Sequence, residues 1–129
     1  MHKAIHLMLG EEISDEEFFK HEKKWSALPK DVRSAMKKVA DDFNVNQFEM
    51  VFGERGKKSL SSARQLGMYV LSKFHQFSQN EIADIFSRDQ KTVSYGVRKI
   101  TQLVKDHPKD MSSYLEKYNT VALREEELI

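Results

Sequence analysis

The run Asp89-Gln90-Lys91-Thr92, followed by Ser94, Tyr95 and Arg98, sets a carboxylate, an amide, an ammonium, three hydroxyls and a guanidinium within ten residues. No nucleophile-and-base pair stands out among them. Their chemistry is hydrogen bonding to a polar surface. Lysine suits the O6 and N7 acceptors of guanine and glutamine the N6/N7 edge of adenine, whereas an arginine two turns along a helix reaches phosphate sooner than a base. Asp89 suits a helix N-cap and can also accept from a cytosine amino group. On charge alone, the same residues are better described as a solvated helix face.

Other chemistries find less support. "GERGKKS", residues 53–59, resembles a phosphate-cradling loop, but its glycines stand three apart where that motif needs five, and no strand precedes it. A basic loop against phosphates, or a plain solvated loop, fits better. His2 and His6 lack a third metal ligand nearby, and His21, His75 and His107 are isolated. The acid pairs Glu11-Glu12, Glu16-Glu17 and Asp41-Asp42 read as helix-start or surface charges. With no cysteine, disulfides and thiol catalysis are excluded. No enzyme activity, no cofactor and no metal are expected.

At 129 residues the chain suffices for one domain with its own core. Hydrophobic residues make up 40% and charged ones 32%, the balance of a folded protein. No window approaches the ~20 apolar residues of a membrane span, so a cytoplasmic, nucleoid-associated location is expected. The net charge of +1 conceals an asymmetry: residues 54–108 hold ten Lys/Arg against five acids, net +5, leaving −4 on the flanks. A basic middle between acidic ends suggests one face for a polyanion.

Two prolines, five glycines and no strict apolar alternation predict an all-α fold. Ser14 and Glu17 have capping-box spacing before a helix with Phe18, Phe19 and Trp25. This aromatic group either folds back over the core or forms a dimer or protein-docking surface. Pro29 opens a second helix, with Val32, Met36, Val39 and Phe43 at helical spacing. Asn46 and Glu49 cap a short turn. A longer helix follows from Ser61 to His75, with Leu66, Val70 and Phe74 on one side and Ser62, Arg64 and Lys73 open to solvent. Ser78 and Glu81 form another capping box for a helix with Ile82, Ile85 and Phe86 inward. Asp89 caps the next, whose apolar stripe is Val93, Val97, Ile100 and Val104. A last helix carries Met111, Leu115 and Tyr118. The expected division is an N-terminal helical extension at 1–30, a main domain at 31–120 and an acidic tail at 121–129.

The pair at 78–105, with Ala83 at the crossing and Val93 ten residues on, has the spacing of a helix-turn-helix. In that unit the second helix offers a polar first turn to the major groove, and packing begins only from Val93. Over residues 34–105, "ARQLGMYVL", "EIADIF" and "RDQKTVSYGVRKI" resemble the C-terminal DNA-binding domain of the bacterial replication initiator DnaA family. The resemblance implies binding of specific double-stranded DNA through Asp89, Gln90, Lys91 and Thr92, with Ser94 and Tyr95 on the same helix. It implies phosphate or minor-groove contacts from the basic loop and neighbouring helices: Arg55, Lys57, Lys58, Ser62, Arg64, Lys73, Arg88, Arg98 and Lys99.

Three departures from the family pattern bear on specificity. Gln90-Lys91 replaces a His-Thr pair, the turn "FSRD" is one residue shorter than "FGGRD", and Gly56 stands where an arginine is usual. Ser87 occupies the turn position where glycine is common. The initiator's ATPase domain has no counterpart here, so the expectation is a stand-alone transcriptional or replication-linked regulator. The rival is an interaction module that keeps the fold, binds little DNA and docks a protein through its aromatic N-terminal helix.

Overall fold

The structure is a computed structural model that describes residues 15–53 and 58–127. Among the described residues there are seven helices and no strand: α1 Asp15–Ala27, α2 Lys30–Asp42, α3 Gln47–Phe52, α4 Lys58–Lys73, α5 Gln79–Phe86, α6 Gln90–Asp106 and α7 Pro108–Glu127. The all-α expectation holds. Ser14, the expected cap of the first helix, lies outside the described residues.

Helix α2 buries Val32, Ala35, Met36, Val39 and Ala40, the i, i+3, i+4, i+7, i+8 stripe of a helix on a core. It ends on Asn44 at φ 53°, where Asn44 N–H donates to Asp41 O and Val45 N–H to Ala40 O. Asparagine tolerates that left-handed backbone, and the two bonds satisfy carbonyls that the helix end would leave open. Asn46 then starts α3, its Oδ1 accepting from Phe48 N–H (2.9 Å) and Glu49 N–H (3.1 Å).

Helix α4 begins at Lys58, three residues before the expected Ser61, and ends at Lys73. Its composition hid its position. It is the central helix, packed by α2, α3, α5 and α6, so Ala63–Leu71 is buried almost all round and not on one side only. Two glycines let its neighbours approach: a Cβ on Gly67 would stand 3.0 Å from Met36 Sδ and 3.2 Å from Phe86 Cζ. One on Gly96 of α6 would stand 3.1 Å from Met68 Sδ and 3.3 Å from Gln65 Cγ.

Trp25 of α1 meets Phe48 edge-on at 5.6 Å between ring centres, so α1 folds back onto α3. Phe19 is 69% exposed and stands outside that contact. At the other end of the chain, α7 continues through Glu127 into the segment expected to be a tail, and it buries Leu115 and Tyr118 against the core.

The α2–α7 contact is polar at its edge. Tyr118 Oη (2.6 Å) and Tyr114 Oη (2.9 Å) both donate to Asp42 Oδ2, and Lys117 pairs with the same oxygen. Partial burial alone would raise the Asp42 carboxyl, but Lys117 and the two phenols outweigh it and hold the group below its usual range. Because the folded-state value is depressed, this stabilisation is complete above the ordinary carboxylate range and is lost as pH falls through the folded value. Asp42→Asn is expected to cost about 1–2 kcal/mol at neutral pH, from weakened hydrogen bonds and a lost ion pair. Urea melts of both proteins should show that gap closing on acidification; a gap independent of pH would rule out the carboxylate as its source.

Candidate nucleic-acid interface

The helix-turn-helix is built from capping chemistry at three successive points. Ser78 accepts from Glu81 N–H at 3.1 Å while Glu81 accepts from Ser78 N–H at 2.9 Å, so α5 starts with the capping box its sequence announces. The Ser78 amide and hydroxyl keep Glu81 below its ordinary range. Helix α5 stops at Ser87, held at φ 52° and ψ 46°, with Ser87 N–H donating to Asp84 O and Arg88 N–H to Ala83 O. The backbone therefore demands the left-handed conformation that glycine usually supplies at this turn. Asp89 then caps α6: its Oδ1 accepts from Thr92 Oγ1 at 2.7 Å and Thr92 N–H at 2.8 Å. These two donors, the hydroxyl first, hold the Asp89 carboxyl below its usual range.

On α6, Val93, Gly96 and Ile100 are buried, with Val97 and Val104 partly so. At 3.6 residues per turn, Lys91, Tyr95 and Arg98 lie on the opposite side, all exposed, Tyr95 by 55%. Exposed Thr92 and Lys99 share one flank; exposed Gln90 and half-buried Ser94 share the other. Arg98 Nε leans back to Ser94 O at 3.4 Å. The expected reading residues thus stand on one contiguous polar surface. Thr92 and Asp89 also engage each other.

The basic residues outside α6 divide. Lys58 is exposed at the first position of α4, inside a helix and not in the expected loop, and Ser62 lies half-buried one turn on. Lys73 is exposed in the last turn of the same helix, roughly 22 Å from Lys58 at ~1.5 Å per residue, so it does not join that cluster. Arg55 and Lys57 fall outside the described residues.

Arg64 requires a correction. Expected at solvent on the outer side of its helix, it is 8% exposed, and its guanidinium is spent on the main chain. Nε donates to Met50 O (2.8 Å), and Nη2 to Glu49 O and Gly53 O (2.8 Å each). Three carbonyls at the end of α3, one of them just past its last turn, are gathered by one side chain. Burial, then the nearby charge of Arg88, lowers the Arg64 pKa, although a guanidinium stays protonated. Arg88 shares this role: Nη1 donates to Phe86 O at 3.0 Å, and Nη2 donates to Gly53 O. The Gly53 carbonyl therefore ties α3, α4 and the turn of the helix-turn-helix to one point.

Neither Gly53 nor Gly96 was singled out in the sequence. Gly96 falls in phase with Val93 and Ile100, a signal that would have found it; the Gly53 carbonyl leaves none. Among the described residues no three His, Asp or Glu side chains converge as a metal site, and no helix is long and apolar enough to cross a membrane.

A capped short helix, a tight turn and a second helix with a polar outer face define a helix-turn-helix protein. Comparison with known proteins refines this: residues 32–100 match the family model of the bacterial dnaA protein helix-turn-helix, and the chain belongs to that family. Membership implies DNA binding. Its relatives include the chromosomal replication initiator protein DnaA of Pseudothermotoga lettingae, 38% identical over 68 residues, which are 53% of this chain and 15% of the relative. The same protein of Thermus thermophilus is 35% identical over 77 residues, 59% of this chain and 17% of the relative. That of Nostoc punctiforme is 38% identical over 69 residues, 53% and 15%. The chain therefore spans only about a sixth of the length of these relatives. No solved structure matches it at a significant level.

Ser87 offers a direct check on the turn. A left-handed backbone costs an ordinary residue roughly 1–2 kcal/mol, part of which glycine returns by being more flexible when unfolded. Ser87→Gly is expected to stabilise by ~0.5–1 kcal/mol and to raise the thermal midpoint by about 2–4 °C in calorimetry. A lowered midpoint would show that the turn does not hold this backbone.

Proposed function

We propose that the protein binds a specific site on duplex DNA, as a transcriptional or replication-linked regulator. In this reading the first turns of α6 enter the major groove, where Gln90, Lys91, Thr92, Ser94 and Tyr95 face base edges and Asp89 fixes the helix start. Lys58, Ser62, Arg98 and Lys99 then lie toward phosphate, with Arg55 and Lys57 as further cations next to them in sequence. The observation that carries the proposal is the division of α6: its N-terminal turn is polar and unpacked, while its core-facing stripe begins only at Val93. A helix whose whole task was packing would not leave that turn outside. The initiators named above, proteins of chromosomal replication, lend support.

Gln90 and Lys91 should set a preference different from that of family members carrying His-Thr. An amide and a long cation favour the acceptors of adenine and guanine, whereas threonine offers a methyl to thymine. Arg64 is assigned to the frame and not to phosphate, and Lys73 contributes only where a duplex extends along α4.

Site selection from random duplexes tests the proposal. The parent chain should prefer its selected site over scrambled DNA by ~10³ or more at near-physiological salt. Lys91→Ala should redistribute the preferred bases, each altered contact being worth ~1–3 kcal/mol, whereas Lys58→Ala should weaken all duplexes by a similar factor. Equal affinity for selected and scrambled duplexes, with little salt dependence, would favour the rival reading of a protein-interaction module.

A further inference from the structure

Helix α1 precedes the residues matched by the family, and its inner edge is fixed by aromatic contacts. His21 lies 5.9 Å from the Phe52 ring and Trp25 meets Phe48, so positions 21 and 25 face α3. Lys20, Lys23 and Lys24, spaced i, i+3, i+4, form a stripe beside that edge, and all three are exposed. The Lys24 ammonium sits 5.8 Å above Phe52, a contact that holds the stripe over the end of α3. Phe52 directly precedes Gly53, whose carbonyl accepts from Arg88 in the turn before α6. A short series of contacts thus joins Lys24 to the helix-turn-helix, with Lys20 and Lys23 beside it on α1.

Among the described residues no carboxylate forms an ion pair with any of the three. The helix dipole accounts for a cation in the last turn, such as Lys24, but its effect fades within that turn and does not explain Lys20. We propose that Lys20, Lys23 and Lys24 form a second phosphate-binding surface, which lengthens the duplex footprint past the recognition helix on the side of Gly53. The inference rests on the duplex-binding reading above and adds to it a contact from outside the family's matched region. A duplex presents one negative charge per ~1.7 Å of axis, so a cationic stripe beside the turn meets phosphate wherever the backbone runs past it. Such contacts add affinity and salt dependence but no sequence preference.

The test uses the full chain and two duplexes carrying the selected site, one trimmed to the site and one with long flanks on both sides. Combined Lys20→Gln, Lys23→Gln and Lys24→Gln should make the slope of log affinity against log salt shallower by about two to three on the long duplex, at ~0.9 per phosphate contact. The change should be smaller on the trimmed duplex, with the preferred bases unaltered. Lys20→Gln with Lys23→Gln alone, which leaves the Phe52 contact in place, should remove just under two and guards against a folding artefact. Unchanged slopes in both variants, with selective binding retained, would overturn the second surface and leave the proposed function standing. Absence of selective duplex binding by the parent chain would overturn both.

Discussion

The arrangement of the interface depends on one buried side chain. Arg64 gathers the Glu49, Met50 and Gly53 carbonyls, and Arg88 reaches the last of these from the turn. A six-residue helix such as α3 cannot satisfy its own C-terminal carbonyls, and left alone it is too short to persist. Arg64 supplies a donor to the Met50 and Gly53 carbonyls and a second one to the Glu49 carbonyl that Gly53 N–H already reaches, and so ties the short helix to α4. Hydrogen bonds to a charged group contribute about 1.5–3 kcal/mol each, and this set is mostly withdrawn from water. The same bonds fix Gly53 relative to the helix-turn-helix.

From that fixed point, the features of the interface follow by packing. Helix α4 can be central because Gly67 and Gly96 admit Met36, Phe86, Met68 and Gln65 at contact distance. Close packing along Val93, Gly96 and Ile100 frees the opposite side of α6 from any role in the core. The N-terminal turn of α6 is then held by the two Thr92–Asp89 side-chain bonds and by Val93 N–H donating to Asp89 O, local contacts that leave Gln90 and Lys91 available. Core packing and solvent exposure are thereby assigned to different faces of one helix.

How much of this the sequence disclosed depended on the range of each interaction. Periodic stripes in α2 and α6, the Ser78–Glu81 box, the Asn46 cap and the Asp89 cap are local, and local spacing revealed them. The start of α4 was missed because "GERGKKS" has loop composition, although Lys58 and Ser59 are helical. Arg64 was misplaced for a different reason: an arginine amid serines reads as a surface residue. Its partners lie 11 to 15 positions earlier and are main-chain atoms, which no side-chain pattern records. Of the candidate interface, the solvent exposure of Gln90, Lys91, Thr92, Tyr95 and Arg98 was recognisable in advance. The assignment of Arg64 to the frame required the fold.

Arg64 holds the end of α3 through its hydrogen bonds to the Glu49, Met50 and Gly53 carbonyls. Urea unfolding of Arg64→Lys, without DNA, tests it directly, because lysine keeps the charge but cannot span three carbonyls. A loss of about 2–4 kcal/mol in unfolding free energy is expected, from charged hydrogen bonds replaced by at most one. Unchanged stability in Arg64→Lys would contradict that role.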